Sequence, residues 1–224
     1  MSKGKLISFD GLGGSGKSTQ IELLKKALEE KGYNVVVQKF PNYDSPTGKI
    51  IKEYLDGKFG ENIPPDFVQS LYALDRVAMK DTIATFLNRG VWVILDRSAY
   101  SGLAYQSARY SLENLYYLSF IDEWATIEFE ACGIRVPDLR IYLRTDPDVA
   151  MKAIEERAKL EKDQGKDVHE NDVELNKAIV KSFEHISLQF SLKRINVLDS
   201  KGRMYEREYV HERIMEKVEP HFLG

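Results

Sequence analysis

The sequence has little cysteine, little proline and no excess of charge of either sign. Of its 224 residues, one is cysteine and seven are proline, and 32 basic residues nearly balance 35 acidic ones. A single cysteine excludes an intramolecular disulfide and leaves no thiolate cluster for zinc. The net charge of −3, with both signs mixed along the chain, provides no long-range basic field that would favour nucleic acid or anionic lipid.

Long apolar runs are absent as well. No stretch of the sequence approaches the roughly 20 apolar residues that a transmembrane helix needs. The first four residues lead directly into a short apolar run, without the pattern of a targeting segment. We therefore expect a single domain over residues 1–224, located in the cytoplasm, with neither a membrane nor a nucleic acid as its partner.

The most informative segment is residues 11–18, whose sequence is GLGGSGKS. It follows the apolar run 5–9 and precedes a helical pattern that begins near Lys17, as in the strand, glycine-rich turn and helix of a P-loop. Such a turn directs backbone N–H groups at phosphate, and the helix N-terminus adds partial positive charge. Lys17 would reach the β- and γ-phosphates, and the Ser18 hydroxyl would hold Mg²⁺. The expected ATP-binding residues of this segment are Gly11, Gly13, Gly14, Ser15, Gly16, Lys17, Ser18 and Thr19.

Five short apolar runs alternate with helical patterns along the chain. The runs are residues 5–9, 35–37, 91–95, 139–143 and 195–198. Long helices are predicted near residues 66–89 and 111–132. Because helices that connect parallel strands lie on both faces of the sheet, the pattern predicts an α/β fold. This fold has three layers, α/β/α, around a five-stranded parallel sheet.

An acidic residue ends the third predicted strand. Asp96 follows the apolar run 91–95, and an aspartate at this position of a P-loop protein is the Walker B residue beside Mg²⁺. Ser18 and Asp96 are therefore the expected metal-binding side chains, directly or through water.

A second polar pocket is predicted opposite the P-loop. Its candidate elements are the loop 40–48, the long helix that carries Tyr72 and Arg76, and the segment 96–106. A pocket of this kind suggests phosphoryl transfer to a small acceptor, and the absence of an Asn-Lys-x-Asp motif argues against a GTPase. Residues 158–171 are charged and lack apolar periodicity, which predicts a mobile lid between two helices.

Five segments together resemble the thymidylate kinases, which phosphorylate dTMP to dTDP. They are residues 10–20, 40–49, 71–76, 96–106 and 137–143. Their order and spacing are more specific than any one of them, and the resemblance extends over nearly the whole chain. It implies ATP as the phosphoryl donor, Mg²⁺ as the cofactor, dTMP as the acceptor, a function in dTTP synthesis and a homodimer formed through helices.

The resemblance also implies roles for individual residues. Tyr72 would stack on thymine, while Arg76 and Gln106 would hydrogen-bond to its edge. The catalytic residues would be Lys17, Asp96, Arg97, which holds the acceptor phosphate, and Arg157, the best of the lid cations that also include Lys159, Lys162 and Lys166. The other substrate-binding residues would be Phe40, Pro41, Tyr43, Ser101, Gly102, Tyr105, His169 and Glu170. The residues that border adenine would be Ser200, Lys201 and Gly202.

The sequence departs from this family's pattern at three places. Gly13 stands where many members have a carboxylate near the deoxyribose. Ser98 replaces the tyrosine of an Asp-Arg-Tyr motif and in part resembles the Glu-Arg-Ser motif of deoxynucleoside kinases. Asn42 and Tyr43 stand where many relatives have an arginine, so one cation for the acceptor phosphate is missing.

Two alternatives to a dTMP kinase follow from these departures. One is a deoxynucleoside kinase, or a nucleoside monophosphate kinase with another base preference. The other belongs to a different class, a nucleotide-binding module that has lost turnover.

Overall fold

The structure of the chain, a computed structural model, describes residues 3–60, 62–110, 114–161 and 172–222. Within helices, the side chains of Leu115 and of residues 157–161 are not described. Most of the predicted lid therefore lies outside the described residues. The same holds for the side chains to which the sequence assigned roles there, namely Arg157, Lys159, Lys162, Lys166, His169 and Glu170.

Five parallel strands form one sheet at the centre of the fold. They are β1 (Leu6–Asp10), β2 (Val35–Lys39), β3 (Trp92–Asp96), β4 (Leu139–Arg144) and β5 (Lys193–Asn196). The strand order is β2-β3-β1-β4-β5, and every pair is parallel. All five residues of β1 are buried, as expected for a central strand that is covered on both faces. The predicted α/β fold is confirmed.

Helices connect the strands within the described residues. They are α1 (Lys17–Glu30), α2 (Pro46–Leu55), α3 (Pro65–Asn88), α4 (Ala99–Ser107), α5 (Leu115–Thr126), α6 (Pro147–Glu161), α7 (Val173–Gln189) and α8 (Arg207–Val218). A π-helical turn, Ile127–Ala131, follows α5, and a short 3₁₀ helix, Glu219–His221, follows α8. In this part of the chain, none of the helices has both the length and the apolar character to cross a bilayer.

The helices cover both faces of the sheet. On one face, α1 and α8 pack onto the strands through side chains such as Leu24 and Ile214. On the other face lie α4, α5 and α7, with Phe183 at the centre of the apolar cluster. Strand β4 separates the two layers, because Ile141 faces the first cluster and Tyr142 faces the second. The rings of Tyr142 and Phe183 stack with their centroids 5.0 Å apart.

Two helices of the structure are not predicted by the sequence pattern. The sequence suggests a loop over residues 42–48, but α2 begins inside it at Pro46. Ser45 caps this helix, since its Oγ accepts the N–H of Gly48 at 2.9 Å, and proline suits the first helical position. Helix α4 is almost entirely buried, so it lacks the polar face that would reveal a helical period.

The carboxyl ends of β1, β2 and β3 meet at one edge of the sheet. In the strand register, Asp96 lies beside Phe9 on one side and beside Lys39 on the other. The P-loop leaves β1 at this edge, and a cis peptide bond joins Phe40 to Pro41 just after β2. Ligands of open α/β sheets bind at such an edge, so the functional site is expected here.

Two leucines test the assignment of the core. Leu28 on α1 is fully buried against the sheet, whereas Leu188 on α7 is 83% exposed. Leu28→Ala is expected to lower the free energy of unfolding by about 2–5 kcal/mol, because it removes apolar contacts and leaves a cavity. The matched variant Leu188→Ala should change it by less than about 0.5 kcal/mol. Urea denaturation measures both, and equal losses would contradict this packing.

Candidate active site

A cavity of about 740 Å³ opens at the carboxyl edge of the sheet. Its wall is formed by the P-loop, the ends of β2 and β3, and parts of α3 and α4. The predicted site residues on this wall are Gly13, Gly14, Gly16, Lys17, Ser18, Thr19, Phe40, Pro41, Tyr43, Tyr72, Arg76, Asp96, Arg97, Ser101, Gly102 and Tyr105. The structure thus brings the predicted phosphate-binding and acceptor-binding residues together in one cavity.

The P-loop is closed on itself by its lysine. The Lys17 ammonium is buried and donates to the carbonyl oxygens of Gly11 at 3.1 Å and Leu12 at 2.8 Å. It also donates to Ser15 Oγ at 3.4 Å, so Gly11 and Ser15 support the loop from beneath. When a phosphate binds, the Lys17 ammonium would donate to the phosphate oxygens in place of these oxygen atoms of the loop.

Gly14 shows why the P-loop needs glycine. Its φ of 73° lies in the left-handed region, and a Cβ atom built there would be 2.2 Å from the carbonyl oxygen of Ala150. Any side chain at this position would collide with the backbone of α6. The loop therefore lies directly against the start of the helix that leads to the predicted lid.

Asp10 joins the P-loop strand to the helix after β3. Its fully buried carboxylate accepts the N–H and the hydroxyl of Ser98 at 2.9 and 2.7 Å. It also accepts the N–H and the hydroxyl of Ser101 at 3.1 and 2.6 Å. Two of the four bonds satisfy N–H groups at the start of α4, those of the N-cap residue Ser98 and of Ser101. The four bonds together fix the acceptor side of the cavity relative to the P-loop.

Arg97 lies next to the P-loop in an unusual backbone conformation. Its φ is 71°, a left-handed value that is uncommon for a residue with a side chain. Its Nη1 donates to the carbonyl oxygen of Gly11 at 3.1 Å, and its guanidinium carbon is 5.2 Å from the Tyr105 ring centroid. The Tyr105 hydroxyl in turn accepts the N–H of Gly13 at 3.2 Å. The backbone thus holds a cation between β3 and the P-loop.

Arg76 reaches the cavity from α3 and is paired on its inner side. The carboxylate of Glu128, in the π-helical turn, accepts from Arg76 Nε and Nη2, both at 2.6 Å. Gln69 Nε2 donates to the same carboxylate at 2.6 Å. Glu128 is not among the residues predicted from the sequence. A carboxylate within the predicted helix near 111–132 is also compatible with an exposed helix face, so the pattern did not single it out.

A third buried carboxylate fixes the loop after β2. Asp75 on α3 accepts the N–H of Asn42 at 2.8 Å and the hydroxyl groups of Ser45 and Thr47 at 2.9 and 2.7 Å. This loop carries Tyr43, which lines the cavity. The polar residues of the loop therefore hold it against α3.

Some predicted residues lie away from the cavity wall. Gln106 is fully buried on α4, and its Oε1 accepts from Arg109 Nη1 at 2.9 Å. Its role in reading the base stays a prediction. Residues 200–202 form a turn after β5, while Met204, two residues further on, lines the cavity near Gly16.

The carboxylate of Asp199 closes that turn. It accepts the backbone N–H groups of Lys201 at 2.8 Å and Arg203 at 3.0 Å, and it pairs with the Arg203 guanidinium. The hydrogen bond from the Arg203 backbone is the main cause that lowers the pKa of Asp199. The turn is thereby prearranged beside the P-loop end of the cavity, and its contact with adenine stays a prediction.

Several cavity residues are not among the site residues predicted from the sequence. They are Glu22, Lys39, Leu55, Ser98, Ala153 and Met204. Lys39 could have been found, because it ends β2 at the same edge as Asp96. Ser98 belongs to the segment 96–106 that was assigned to the pocket, and Glu22 lies on α1, which the P-loop opens. Leu55, Ala153 and Met204 come from elements whose position relative to the P-loop is a tertiary property.

The predicted magnesium ligands both face this cavity. Ser18 and Asp96 line it, and no hydrogen bond to the Asp96 carboxylate occurs among the described residues. In this part of the chain, no group of three or more His, Cys, Asp or Glu side chains could hold a metal ion. Mg²⁺ typically keeps several waters and is held by one or two carboxylates and the phosphates of a substrate. One carboxylate and one hydroxyl fit such an ion.

Comparisons with known proteins place this geometry in a family. The sequence profile described as Thymidylate kinase matches residues 9–214. Thymidylate kinase of Plasmodium falciparum (isolate 3D7) is 32% identical over 185 residues, which are 83% of this chain and 78% of that protein. Thymidylate kinase of Schizosaccharomyces pombe is 28% identical over 218 residues, 96% of this chain and 92% of that protein.

A solved structure is similar over the whole fold. Thymidylate kinase from Candida albicans, which is described as having broad substrate specificity, has a TM-score of 0.75 and 25% sequence identity to this chain. The match covers 99% of this chain and 93% of the other. Together with the sequence matches, it confirms the resemblance that the five motifs indicated.

Two aspartates at neighbouring strand ends test the role of Asp10. Asp10→Asn places an amide nitrogen against serine donors, so we expect it to lower the free energy of unfolding by about 1–3 kcal/mol. Asp96→Asn, the same substitution at the end of β3, should change stability by less than about 0.5 kcal/mol. Thermal and urea unfolding measure both. A stable Asp10→Asn variant would show that this carboxylate does not tie α4 to β1.

Proposed function

The chain belongs to the thymidylate kinase family, and on that premise we propose that it transfers the γ-phosphoryl group of ATP to dTMP, giving dTDP and ADP. The observation that carries the proposal is that the P-loop, Arg97 and the pair of Tyr72 and Arg76 line one cavity. Family membership confirms the predicted enzyme class, an ATP-dependent kinase. The cavity supports direct transfer between two bound nucleotides, without a covalent intermediate on the protein.

The donor phosphates would bind at the P-loop. Its backbone N–H groups and the N-terminus of α1 favour an anion, and Lys17 is the cation within the loop. Phosphoryl transfer depends mainly on alignment and on neutralising charge in the transition state. Lys17, Arg157 and Arg97 would supply that positive charge. Arg157 remains a prediction, because its side chain lies outside the described residues.

The acceptor phosphate would bind between β2 and β3. Arg97 supplies one fixed cation there. Lys39 also lines the cavity, and its register partner is Asp96, so both side chains lie on the same face of the sheet. Lys39 would supply the second cation that the sequence analysis found missing at Asn42 and Tyr43.

The base would bind at the α3 side of the cavity. Tyr72 offers an aromatic face to a flat pyrimidine, and the Arg76 guanidinium offers a donor to its edge. Because Glu128 neutralises Arg76, this end of the cavity suits an uncharged ring. The cations Lys17 and Arg97 lie toward the P-loop, where the phosphates belong.

Mg²⁺ would be held by Ser18 and Asp96 together with phosphate oxygens. When bound, the ion would neutralise part of the charge on the transferring group. The cytoplasmic location that the sequence suggests stays a prediction.

Ser98 does not favour the alternative of a deoxynucleoside kinase. Its hydroxyl and N–H are both bonded to Asp10, so the serine holds α4 in place. A nucleoside would also leave Arg97 without the phosphate that it is placed to bind. The alternative of an inactive nucleotide-binding module is weakened because Lys17, Asp96 and Arg97 all line the cavity.

Removing the proposed phosphate cations should damage acceptor use selectively. Arg97→Ala is expected to lower kcat with dTMP by about 10²–10³-fold, because a fixed charge in the transition state is lost. Alanine also carries a Cβ atom, so the left-handed backbone is not relieved and the effect reports the guanidinium. Lys39→Met should act in the same direction by about 10-fold. Steady-state assays with dTMP, dUMP, dCMP and thymidine, at varied ATP, measure these effects.

Two outcomes of that assay would contradict the proposal. If wild-type protein used thymidine better than dTMP, the deoxynucleoside kinase would be the correct function. If Arg97→Ala weakened ATP use as much as dTMP use, Arg97 would serve the donor.

We also propose a homodimer formed through α3 and α5. The Trp124 Nε1 of α5 donates to Asp66 at the start of α3 at 2.8 Å, so the two helices adjoin. They expose large apolar side chains, among them Leu74 at 51% and Leu118 at 49%. Apolar side chains exposed on adjoining helices are typical of a partner surface.

Light scattering tests the dimer. Wild-type protein is expected at twice the mass of one chain, and Leu74→Glu should shift it toward the monomer because a charge would be buried in the interface. Leu188→Glu, on α7, is the matched control and should remain dimeric. A wild-type monomer at working concentration would contradict the proposal.

A further inference from the structure

We infer that Glu128 is a positioning residue for Arg76 and that it determines how the cavity selects its base. The inference rests on the proposed function, because it assigns Arg76 to the base of the acceptor. Glu128 itself is fully buried and is not on the cavity wall. It would act through Arg76, which is on the cavity wall.

Arg76 and Glu128 form a bidentate ion pair in which the carboxylate engages one edge of the guanidinium. Arg76 Nε donates to Oε2 of Glu128, and Nη2 donates to Oε1, each at 2.6 Å. The two side chains are 4% and 0% exposed. Such bidentate pairing fixes the plane of the guanidinium as well as its position. Nη1 is the nitrogen that Glu128 does not engage, so it remains for a ligand in the cavity.

A third side chain strengthens this arrangement. Gln69, about two turns before Arg76 on α3, is fully buried and donates its Nε2 to Oε1 of Glu128 at 2.6 Å. Gly102 lies on the cavity wall directly in front of the group. A Cβ atom there would be 2.7 Å from Oε1 of Gln69 and 3.3 Å from Nη2 of Arg76. Because residue 102 has no side chain, the cavity wall approaches Gln69 and Arg76 closely at this point.

The backbone that carries Glu128 is locally specialised. The residue lies in the π-helical turn Ile127–Ala131, where the N–H of Cys132 donates to the carbonyl of Ile127 at 2.8 Å. A π-turn inserts an extra residue into a helix and is frequently found at functional sites. Here it turns a carboxylate inward toward α3, while Glu130 of the same turn is exposed.

Neutralisation follows from the same contact. A buried arginine without a partner would attract an anion, and the acceptor phosphate is one of the anions that this cavity would hold. With Glu128 in place, the pair carries no net charge, so the phosphate is directed to Arg97 and Lys39 and the base edge to Arg76. Glu128 would thus determine the orientation of the acceptor nucleotide and the position of the Arg76 N–H groups that hydrogen-bond to its base.

The experiment is a double-mutant cycle on steady-state kinetics. Glu128→Gln is expected to raise KM for dTMP by about 10- to 100-fold and to reduce the preference for dTMP over dCMP, while KM for ATP stays within about threefold. Introduced into Arg76→Met, the same change should alter kcat/KM for dTMP by less than about threefold, because its effect passes through the arginine. The matched control is Glu130→Gln on the same turn, which should leave all parameters unchanged.

A purely structural role would give a different result. In that case Glu128→Gln would lower kcat and raise KM for ATP as much as KM for dTMP, or would act equally with and without Arg76, and the inference would be overturned. If Glu128→Gln fails to fold, Gln69→Met is used instead, since it leaves the ion pair intact. That variant should raise KM for dTMP by about 3- to 10-fold and only when Arg76 is present; an unchanged KM would overturn the inference.

The two proposals fail in distinguishable ways. Wild-type protein that does not phosphorylate dTMP would refute the proposed function. Wild-type turnover of dTMP with independent effects of Glu128 and Arg76 would refute only the positioning role.

Discussion

The hydrogen bonds of Asp10 are the contact on which the geometry of the cavity depends. This carboxylate ends the central strand, immediately before the P-loop, and it accepts from the backbone and side chains of both Ser98 and Ser101. The P-loop and the start of α4, which lie at the two ends of the cavity, are thereby held by one buried carboxylate. Asp75 and Glu128 repeat the device for the loop after β2 and for Arg76. Three buried carboxylates, each accepting at least three hydrogen bonds, thus position α4, the loop after β2 and the Arg76 guanidinium.

The fold could be predicted from the sequence because its signals are local. A β-branched run such as residues 35–37 and a glycine-rich turn before Lys17 each specify a short piece of backbone, and the alternation of such pieces specifies parallel connections. The residues of the P-loop and the acid at the end of β3 were predicted for the same reason. The structure places them on one cavity, as the common edge of parallel strands requires.

The rest could not be predicted, because it depends on contacts distant in sequence. Helix α4 is buried on all sides and gives no periodic pattern, and α2 is too short to show one clearly. Glu128 meets Arg76 across 52 positions of the chain, and its inward direction depends on a π-turn that composition does not reveal. Lys39 was within reach of the argument, since it stands at the same strand edge as Asp96, but its side chain could equally have faced solvent.

The left-handed backbone of Arg97 has a consequence for how this protein can change. Holding a residue with a Cβ atom at a φ of 71° costs about 1–3 kcal/mol. Glycine would remove that cost, so a search for more stable variants would favour Arg97→Gly while discarding the cation beside the P-loop. On the proposed role of Arg97 in binding the acceptor phosphate, selection for thermostability and selection for turnover therefore oppose each other at this single position. Persistence of arginine in a stabilised library would itself be a sign that the library had been kept under demand for catalysis.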